Sequence, residues 1–170
     1  LFDLLAERAE TLGGGSYGME ALNVLRIEKG FITHAEIEGR TTAFDIGMGR
    51  MISARKDCIG KVMAARDGLI DNERPQLVGV KPIDATGVLT GGAFLFDQGA
   101  EAVRVNHQGH VSSVGYSPEC GQMIGLAFLR RGPDRFGEVV RMVDHMRGVE
   151  TEVEICNPVF VDVAGERVRG

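Results

Sequence analysis

The amino-acid sequence predicts an α+β fold, with a small α/β lobe over residues 1–75 followed by an antiparallel β-barrel over residues 76–170. Three observations predict it. Two segments near the start space their apolar residues as helices do. The polar, turn-rich stretch DGLIDNERP marks a boundary that closes at Pro75. Short alternating runs then follow at intervals of about 10 to 20 residues without a long helix between them, which favours a barrel over a parallel sheet.

Two helices are predicted at the start of the lobe. The segment LFDLLAERAETL places leucines on one side of a helix and glutamates on the other, and the following GGGS ends it. Its apolar side is complete from Leu1 onward, so we expect the chain to be a fragment in which this helix packs on a preceding segment. A second helix is predicted from Met19 to Gly30, because a glycine can adopt the left-handed conformation that ends helices.

The rest of the lobe is predicted to be less regular. After the second helix, the sequence indicates a polar connection and a turn that begins at Thr41 or Thr42. Spaced glycines favour a strand from Met48 to Ser53, and IGKVMAAR is predicted to form a brief helix. The lobe thus combines short helices with one short strand.

Seven short apolar or alternating runs predict the strands of the barrel. The runs are QLVGVKPI, GAFLF, AVRVN, HVSSVGYS, MIGLAFLR, EVVRMVD and ETEVEICN. Alternation is clearest in the last of them, where Glu152 and Glu154 separate the aliphatic Val153 and Ile155. Because successive side chains of a strand point to opposite faces, we expect the two aliphatic residues inside the barrel and the two glutamates outside.

Composition and charge exclude several classes of function. The formal charge of −5 and the lack of a basic stripe argue against a nucleic-acid partner. The longest apolar runs are far shorter than the roughly 18 residues of a membrane-spanning helix. Cys58, Cys120 and Cys156 are odd in number, widely spaced and free of a CxxC arrangement. We therefore expect a globular, cytoplasmic protein without nucleic acid or membrane as partner.

Three groups of residues resemble site motifs but lack the context that such sites need. Gly13, Gly15 and Gly18 match the G-x-G-x-x-G spacing of dinucleotide-binding turns, but a helix precedes them where that motif needs a strand, so they are interpreted as a hinge. The four histidines lack ligand-like spacing, so no metal site is predicted. The serines between 112 and 117 lack a G-x-S-x-G elbow and are interpreted as hydrogen-bond partners at strand edges and turns.

Glu28, in the segment RIEKG, is the strongest candidate binding residue. It lies in the last turn of the second predicted helix, where the macrodipole disfavours an acid by a few tenths to about 1 kcal/mol. A carboxylate at this point can accept two adjacent N–H donors from a planar heterocycle. The alternative is a solvated ion pair with Arg26 or Lys29, worth about 0 to 1 kcal/mol. These residues alone leave both interpretations open.

A longer set of segments resembles a known family. In chain order the segments are RIEKGFI, TTAFDIGMGR, RKDCIGK, GHVSSVGYSPECGQMIGLAFLRRG and NPVFVD. Together they are similar to the aminomethyltransferase family that includes the glycine-cleavage T protein, and within it to the alpha subunits of heterotetrameric sarcosine oxidases. The resemblance covers nearly all residues from Tyr17 to Gly170. It implies the C-terminal half of an aminomethyltransferase-like fold, in which residues 1–75 form part of the folate-binding lobe.

The resemblance also implies which residues bind the folate. Glu28 matches the glutamate with which the family holds the pterin ring of tetrahydrofolate. Either Arg55 or Lys56 lies in the region of a basic folate contact, and Tyr17 lies where family members approach the folate with an aromatic or glycine-rich segment. The family's catalytic aspartate belongs to a segment upstream of these residues, so no catalytic residue is predicted in this chain.

The reaction that the resemblance implies belongs to a larger assembly. Such an enzyme converts sarcosine, oxygen and tetrahydrofolate into glycine, hydrogen peroxide and 5,10-methylenetetrahydrofolate. FAD, FMN and NAD are expected elsewhere in the assembly, and the beta, gamma and delta subunits are expected as partners. We expect the chain by itself to be inactive. Two alternatives stay open: an aminomethyltransferase (T protein) or dimethylglycine-type folate enzyme, and a folate-fold module that serves only as an interaction domain.

Overall fold

A computed structural model describes residues 1–169 and contains short helices followed by a sheet of six strands. The helices are α1 (Phe2–Thr11), α2 (Met19–Glu28), α3 (Lys61–Ala64), α4 (Asp67–Ile70) and α5 (Glu166–Arg169). The strands are β1 (Pro75–Pro82), β2 (Phe94–Phe96), β3 (Gly109–Ser117), β4 (Gln122–Arg130), β5 (Val139–Asp144) and β6 (Val149–Cys156). The helices predicted at the start of the chain and in IGKVMAAR are confirmed, as are six of the seven predicted strands.

The six strands close into an antiparallel barrel. Their order around the barrel is β1-β4-β3-β2-β5-β6, and β6 returns to pair with β1. The alternation predicted for β6 is confirmed, because Val153 and Ile155 are fully buried while Glu152 is exposed and Glu154 is half-buried. The α+β fold with a C-terminal barrel is therefore correct.

The barrel interior is filled by aliphatic side chains from all six strands. The fully or almost fully buried members of this core are Val78, Val80, Leu89, Ala93, Leu95, Val111, Ala127, Leu129, Val140, Met142, Val153 and Ile155. Burial of a side chain of Val, Leu, Ile or Met size stabilises a fold by about 1.5 to 3 kcal/mol. The core therefore anchors the barrel independently of the polar groups outside it.

A second apolar cluster holds α2 against the outer face of the barrel. Ile27 of α2 packs there with Leu77 of β1 and with three residues of β4, which are Ile124, Leu126 and Phe128. The helix crosses β3 at Gly115, where a Cβ atom would lie 3.2 Å from Val24 Cγ2. A glycine at this crossing allows the close approach of helix and strand.

A β-bulge decides which residues of β3 face α2. The register between β3 and β4 shifts between Val111 and Ser113, so Ser112 is the extra residue. Beyond the bulge, Ser113, Gly115 and Ser117 lie on the outer face, toward α2 and the chain that follows it. The hydroxyl groups of Ser113 and Ser117 thus lie beneath the helix. They lie on either side of Gly115, the point where α2 crosses β3, which we call the glycine crossing.

Two local predictions were wrong. The predicted strand from Met48 to Ser53 is a 3₁₀ turn at Gly49–Met51, after a turn in which the Met48 amide donates to the Ala43 carbonyl. The run AVRVN forms a 3₁₀ turn at Arg104–Asn106, because the closed barrel leaves no free edge for a seventh strand. The boundary stretch DGLIDNERP, predicted to be polar and turn-rich, begins with the single-turn helix α4.

The helix α1 has no buried residue, and the side chains of Leu1, Phe2, Leu4, Leu5 and Leu12 are exposed. Among the described residues, no element thus covers the apolar side of this helix. Within residues 1–169, no helix is long and apolar enough to span a membrane.

Candidate functional site

The C-terminal end of α2 is fixed by a glycine. Gly30 has φ +70°, and the chain reverses there as the Phe31 amide donates to the Arg26 carbonyl over 2.8 Å. A Cβ atom at Gly30 would lie 2.8 Å from the Pro158 carbonyl oxygen. A residue with a Cβ atom at this position would therefore strain the backbone and would also push away the C-terminal segment.

That C-terminal segment, residues 157–162, holds the backbone of Glu28. The amides of Phe160 and Val161 donate to the Glu28 carbonyl oxygen over 2.8 and 3.0 Å. Lys29 Nζ donates to the Asp162 carboxylate over 2.9 Å and also to the Asp162 carbonyl. The hydrogen bond from Lys29 keeps the pKa of Asp162 below its ordinary value, although burial opposes this shift. The position of Glu28 is thus set by residues more than a hundred positions further along the chain.

The Glu28 carboxylate is buried and has one hydrogen-bond partner among residues 1–169. The residue is 8% exposed, and Oε1 accepts a hydrogen bond from Ser117 Oγ over 2.5 Å. Oε2 accepts no hydrogen bond from the described residues. It is also not among the buried side-chain oxygen and nitrogen atoms there that lack a hydrogen-bond partner. Oε2 therefore keeps some contact with solvent and has unused capacity as an acceptor.

The interpretation of Glu28 as a member of a surface ion pair is wrong. Arg26 pairs with Glu36 instead, with Nη1 and Oε2 3.0 Å apart. Lys29 pairs with Asp162, and the Glu28 side chain points to Ser117 rather than to either neighbouring cation. Glu28 is thus a buried carboxylate whose charge no adjacent ion pair explains.

A second buried carboxylate, Glu36, lies on the other side of the glycine crossing. Its side chain is fully buried and accepts bonds from Ser112 and Ser113 on Oε1, over 2.7 and 2.5 Å. Its Oε2 accepts from Arg26 and from the Thr33 amide and hydroxyl, over 3.0, 2.8 and 3.2 Å. Both oxygens are therefore saturated.

The electrostatics of Glu36 follow from these partners. Burial by itself raises the pKa of the carboxyl group, but the hydrogen bonds from Ser113, the Thr33 amide and Ser112, with the charge of Arg26, outweigh it. The net pKa of Glu36 is lowered, so the group is ionised at neutral pH. Arg26 also donates to Ser113 over 2.6 Å, which links helix and strand through this cluster.

The other predicted folate contacts are spread over exposed parts of the lobe. Tyr17 is 69% exposed, in the connection before α2. Arg55 and Lys56 are exposed, and their amides donate to Ser53 Oγ over 3.3 and 3.2 Å. Among the described residues, no hydrogen bond or ion pair joins any of these three side chains to Glu28. Their roles stay predictions, and so does the choice between Arg55 and Lys56.

Two residues of the site have no local signal in the sequence. Ser117 was interpreted only as a partner at a strand edge or turn, yet it is fully buried and donates to Glu28. Glu36 belongs to a segment, AEIEGR, that was predicted as a polar connection. The bulge at Ser112 and the pairing of β3 with β4 bring these groups together, and neither follows from composition.

The comparisons with known proteins agree with this fold. Residues 76–162 match the model of the glycine cleavage T-protein C-terminal barrel domain. The chain is 44% identical over 167 residues to "Sarcosine oxidase subunit alpha" from Rhizobium meliloti (strain 1021), which covers 98% of the chain and 17% of that protein. It is 30% identical over 156 residues to "Aminomethyltransferase" from Francisella tularensis subsp. tularensis (strain WY96-3418), which covers 88% of the chain and 39% of that protein.

A solved structure shares the architecture. The crystal structure of glycine cleavage system aminomethyltransferase T from Bartonella henselae superposes with a TM-score of 0.68 and 22% identity, covering 84% of the chain and 38% of that protein. At this identity the likeness supports the fold. The chain thus spans about a sixth of the length of the sarcosine oxidase relative and about two fifths of the aminomethyltransferases.

Proposed function

Since the chain belongs to the family of the glycine cleavage T-protein C-terminal barrel domain, we propose that it forms the tetrahydrofolate-binding region of a sarcosine oxidase alpha subunit. The observation that carries the proposal is Glu28, a buried carboxylate with one oxygen held by Ser117 and the other free to accept. The 44% identity across 98% of the chain to a protein named as that subunit supports the choice within the family.

The Glu28 carboxylate fits the edge of a reduced pterin. Such a ring presents adjacent N–H donors in one plane, and a carboxylate offers two oxygens at matching spacing. Oε1 keeps a second lone pair beside its bond from Ser117, and Oε2 is free, so both oxygens can accept from a ligand. Bound tetrahydrofolate supplies the nitrogen nucleophile that captures a one-carbon unit.

The chain's own residues contribute orientation rather than covalent chemistry. Residues 157–162 fix the backbone of Glu28, and Ser117 fixes its carboxylate, so a ligand held there meets a preset acceptor. Tyr17 and either Arg55 or Lys56 are proposed as further folate contacts. In the complete enzyme, sarcosine, oxygen and tetrahydrofolate are converted into glycine, hydrogen peroxide and 5,10-methylenetetrahydrofolate. FAD, FMN and NAD are proposed to bind elsewhere, with beta, gamma and delta subunits as partners.

A second candidate function is that of an aminomethyltransferase. The 30% identity over 88% of the chain to proteins with that name favours it, and the same Glu28 site would serve it. The two functions differ in whether flavin-dependent oxidation accompanies folate binding. Tightly bound flavin in the native polypeptide that carries this chain supports the oxidase, and its absence supports the transferase.

The test is the fate of the one-carbon unit in a Glu28→Gln variant. The purified native enzyme is supplied with sarcosine and limiting tetrahydrofolate, and the ratio of methylenetetrahydrofolate to formaldehyde is measured. We expect the ratio to fall while peroxide formation continues, because oxidation occurs at a separate site and the uncaptured product hydrolyses to formaldehyde. Glu20→Gln, an exposed residue of the same helix, is the matched control. An unchanged ratio in Glu28→Gln contradicts the proposal.

A further inference from the structure

We propose that Ser117 is the positioning residue of the Glu28 site, holding the carboxylate in the orientation that presents Oε2 to a ligand. The inference rests on the proposed folate-binding function and extends it to a residue outside the RIEKG segment. Ser117 is the last residue of β3 and is fully buried, so it has no route of its own to a ligand. It can act on a ligand only through Glu28.

The hydrogen bonds around Ser117 fix the direction of its single proton. The Cys120 amide donates to Ser117 Oγ over 3.0 Å and occupies one of its acceptor positions. The hydroxyl proton is then directed at Glu28 Oε1, with 2.5 Å between the two oxygens. A hydroxyl has one donor, and here the donor has one partner. Oε1 is consequently held as an acceptor at the end of β3, and Oε2 is left without a donor among the described residues.

A fixed carboxylate has a binding advantage over a mobile one. A glutamate side chain that must be ordered on binding loses rotamer freedom at that moment, and the loss weakens affinity. Ser117 removes this cost before the ligand arrives. Its hydrogen bond uses one lone pair of Oε1, so the other lone pair of Oε1 and the whole of Oε2 remain for recognition.

The protein provides a matched comparison on the same strand. Ser113 is also buried and also donates over 2.5 Å to a buried carboxylate, that of Glu36. Glu36 keeps four other hydrogen bonds if Ser113 is removed, whereas Glu28 keeps none from the described residues if Ser117 is removed. Ser113→Ala and Ser117→Ala therefore both remove the hydroxyl group of a buried serine. Only Ser117→Ala also removes the group that orients Glu28.

The experiment measures tetrahydrofolate affinity by titration calorimetry in the native polypeptide that carries this chain. The variants are Ser117→Ala, Ser113→Ala, Glu28→Gln, Glu28→Ala and the double variant Ser117→Ala with Glu28→Ala. We expect Ser117→Ala to weaken binding by about three- to tenfold, the range of one hydrogen bond. Ser113→Ala should stay within about twofold of wild type even though it lowers the melting temperature.

The double variant separates positioning from a structural effect. If Ser117 acts through the side chain of residue 28, its removal has no further effect on affinity in the Glu28→Ala background, where no acceptor is left to position. An equal loss in both backgrounds, or wild-type affinity in Ser117→Ala, overturns the inference. Thermal unfolding checks that each variant is folded, and Ser117→Cys, which keeps the shape with a weaker donor, serves if the alanine variant does not fold. It should show an intermediate loss.

The outcomes also distinguish this inference from the proposed function. If Glu28→Gln weakens tetrahydrofolate binding and Ser117→Ala does not, Glu28 is a folate-binding residue and the positioning role of Ser117 is wrong. If the wild-type protein binds no tetrahydrofolate, the proposed function fails and the positioning role is overturned with it.

Discussion

The two sides of the glycine crossing hold two buried glutamates with opposite degrees of saturation. Glu36 accepts five hydrogen bonds, and its side chain is sealed from solvent. Glu28 accepts one bond from Ser117 on its side chain and keeps an accessible oxygen. Each glutamate meets a serine of β3 at the same distance of 2.5 Å. The difference is that the other lone pairs of Glu36 also accept hydrogen bonds from the protein, whereas those of Glu28 accept none from the described residues.

That difference assigns the two carboxylates different tasks. A buried charge is tolerated when its hydrogen-bonding capacity is used, and Glu36 uses its capacity within the fold. Among the described residues, no group donates to Oε2 of Glu28, so that oxygen can accept a hydrogen bond from a ligand. We therefore interpret Glu36 as a structural tie between α2, its following loop and β3, and Glu28 as the binding carboxylate.

Removal of Glu36 should produce the largest loss of stability. Glu36→Ala leaves the largely buried Arg26 without its carboxylate partner, and breaking a buried pair in this way costs about 3 to 5 kcal/mol. The free energy of unfolding is measured by urea denaturation. Glu38→Ala, two residues away and exposed beside Arg40, should leave it unchanged. If Glu36→Ala is as stable as wild type, Glu36 is not a structural tie and its assignment is wrong.

A core substitution in the barrel provides the apolar reference for that loss. Ile155 is fully buried, so Ile155→Ala should lower the free energy of unfolding by about 2 to 5 kcal/mol through lost burial and a cavity. Glu152→Ala on the outer side of the same strand should be nearly neutral. A neutral Ile155→Ala, measured in the same denaturation series, would show that the polar ties and not the core dominate stability.

The hydrogen bonds of Glu36 should also make the free energy of unfolding depend on pH. This effect should be smaller than the losses caused by Glu36→Ala and Ile155→Ala. Its pKa in the folded state is below the ordinary value of 4.5, so its contribution is present above that value and is lost as pH falls through the folded pKa. Stability should therefore fall with acidification below about pH 4.5. Glu36→Gln should flatten part of this fall, with the remainder due to other carboxyls such as Asp45. An unaltered profile in Glu36→Gln would contradict the saturation of this group.

Regular patterns in the sequence predicted much of the fold. Period-two alternation at Val153 and Ile155 was sufficient for β6, and a glycine at position 30 was sufficient for the end of α2. The run AVRVN carried the same local signal as a true strand and failed, because pairing depends on a free neighbouring edge. Local composition contains no information about that edge.

The site was predictable only in its central residue. Glu28 could be singled out because an acid is unusual at the end of a helix. Nothing near Glu36 distinguishes it from the exposed Glu38, since its partners Ser112 and Ser113 lie 76 and 77 residues further along. The long-range register of β3, including its bulge, creates the difference between these two glutamates.

The most direct measurement compares tetrahydrofolate affinity and unfolding free energy in Glu28→Gln and Glu36→Gln, in the native polypeptide that carries this chain. Glu28→Gln replaces a charged acceptor by an amide that turns a donor toward the ligand's donors, so affinity should fall about tenfold or more. Its stability should stay near that of wild type. Glu36→Gln should do the reverse, with lowered stability and near-normal affinity under conditions where it is folded. If Glu28→Gln binds tetrahydrofolate as tightly as wild type, Glu28 is not the binding carboxylate and the assignment is wrong.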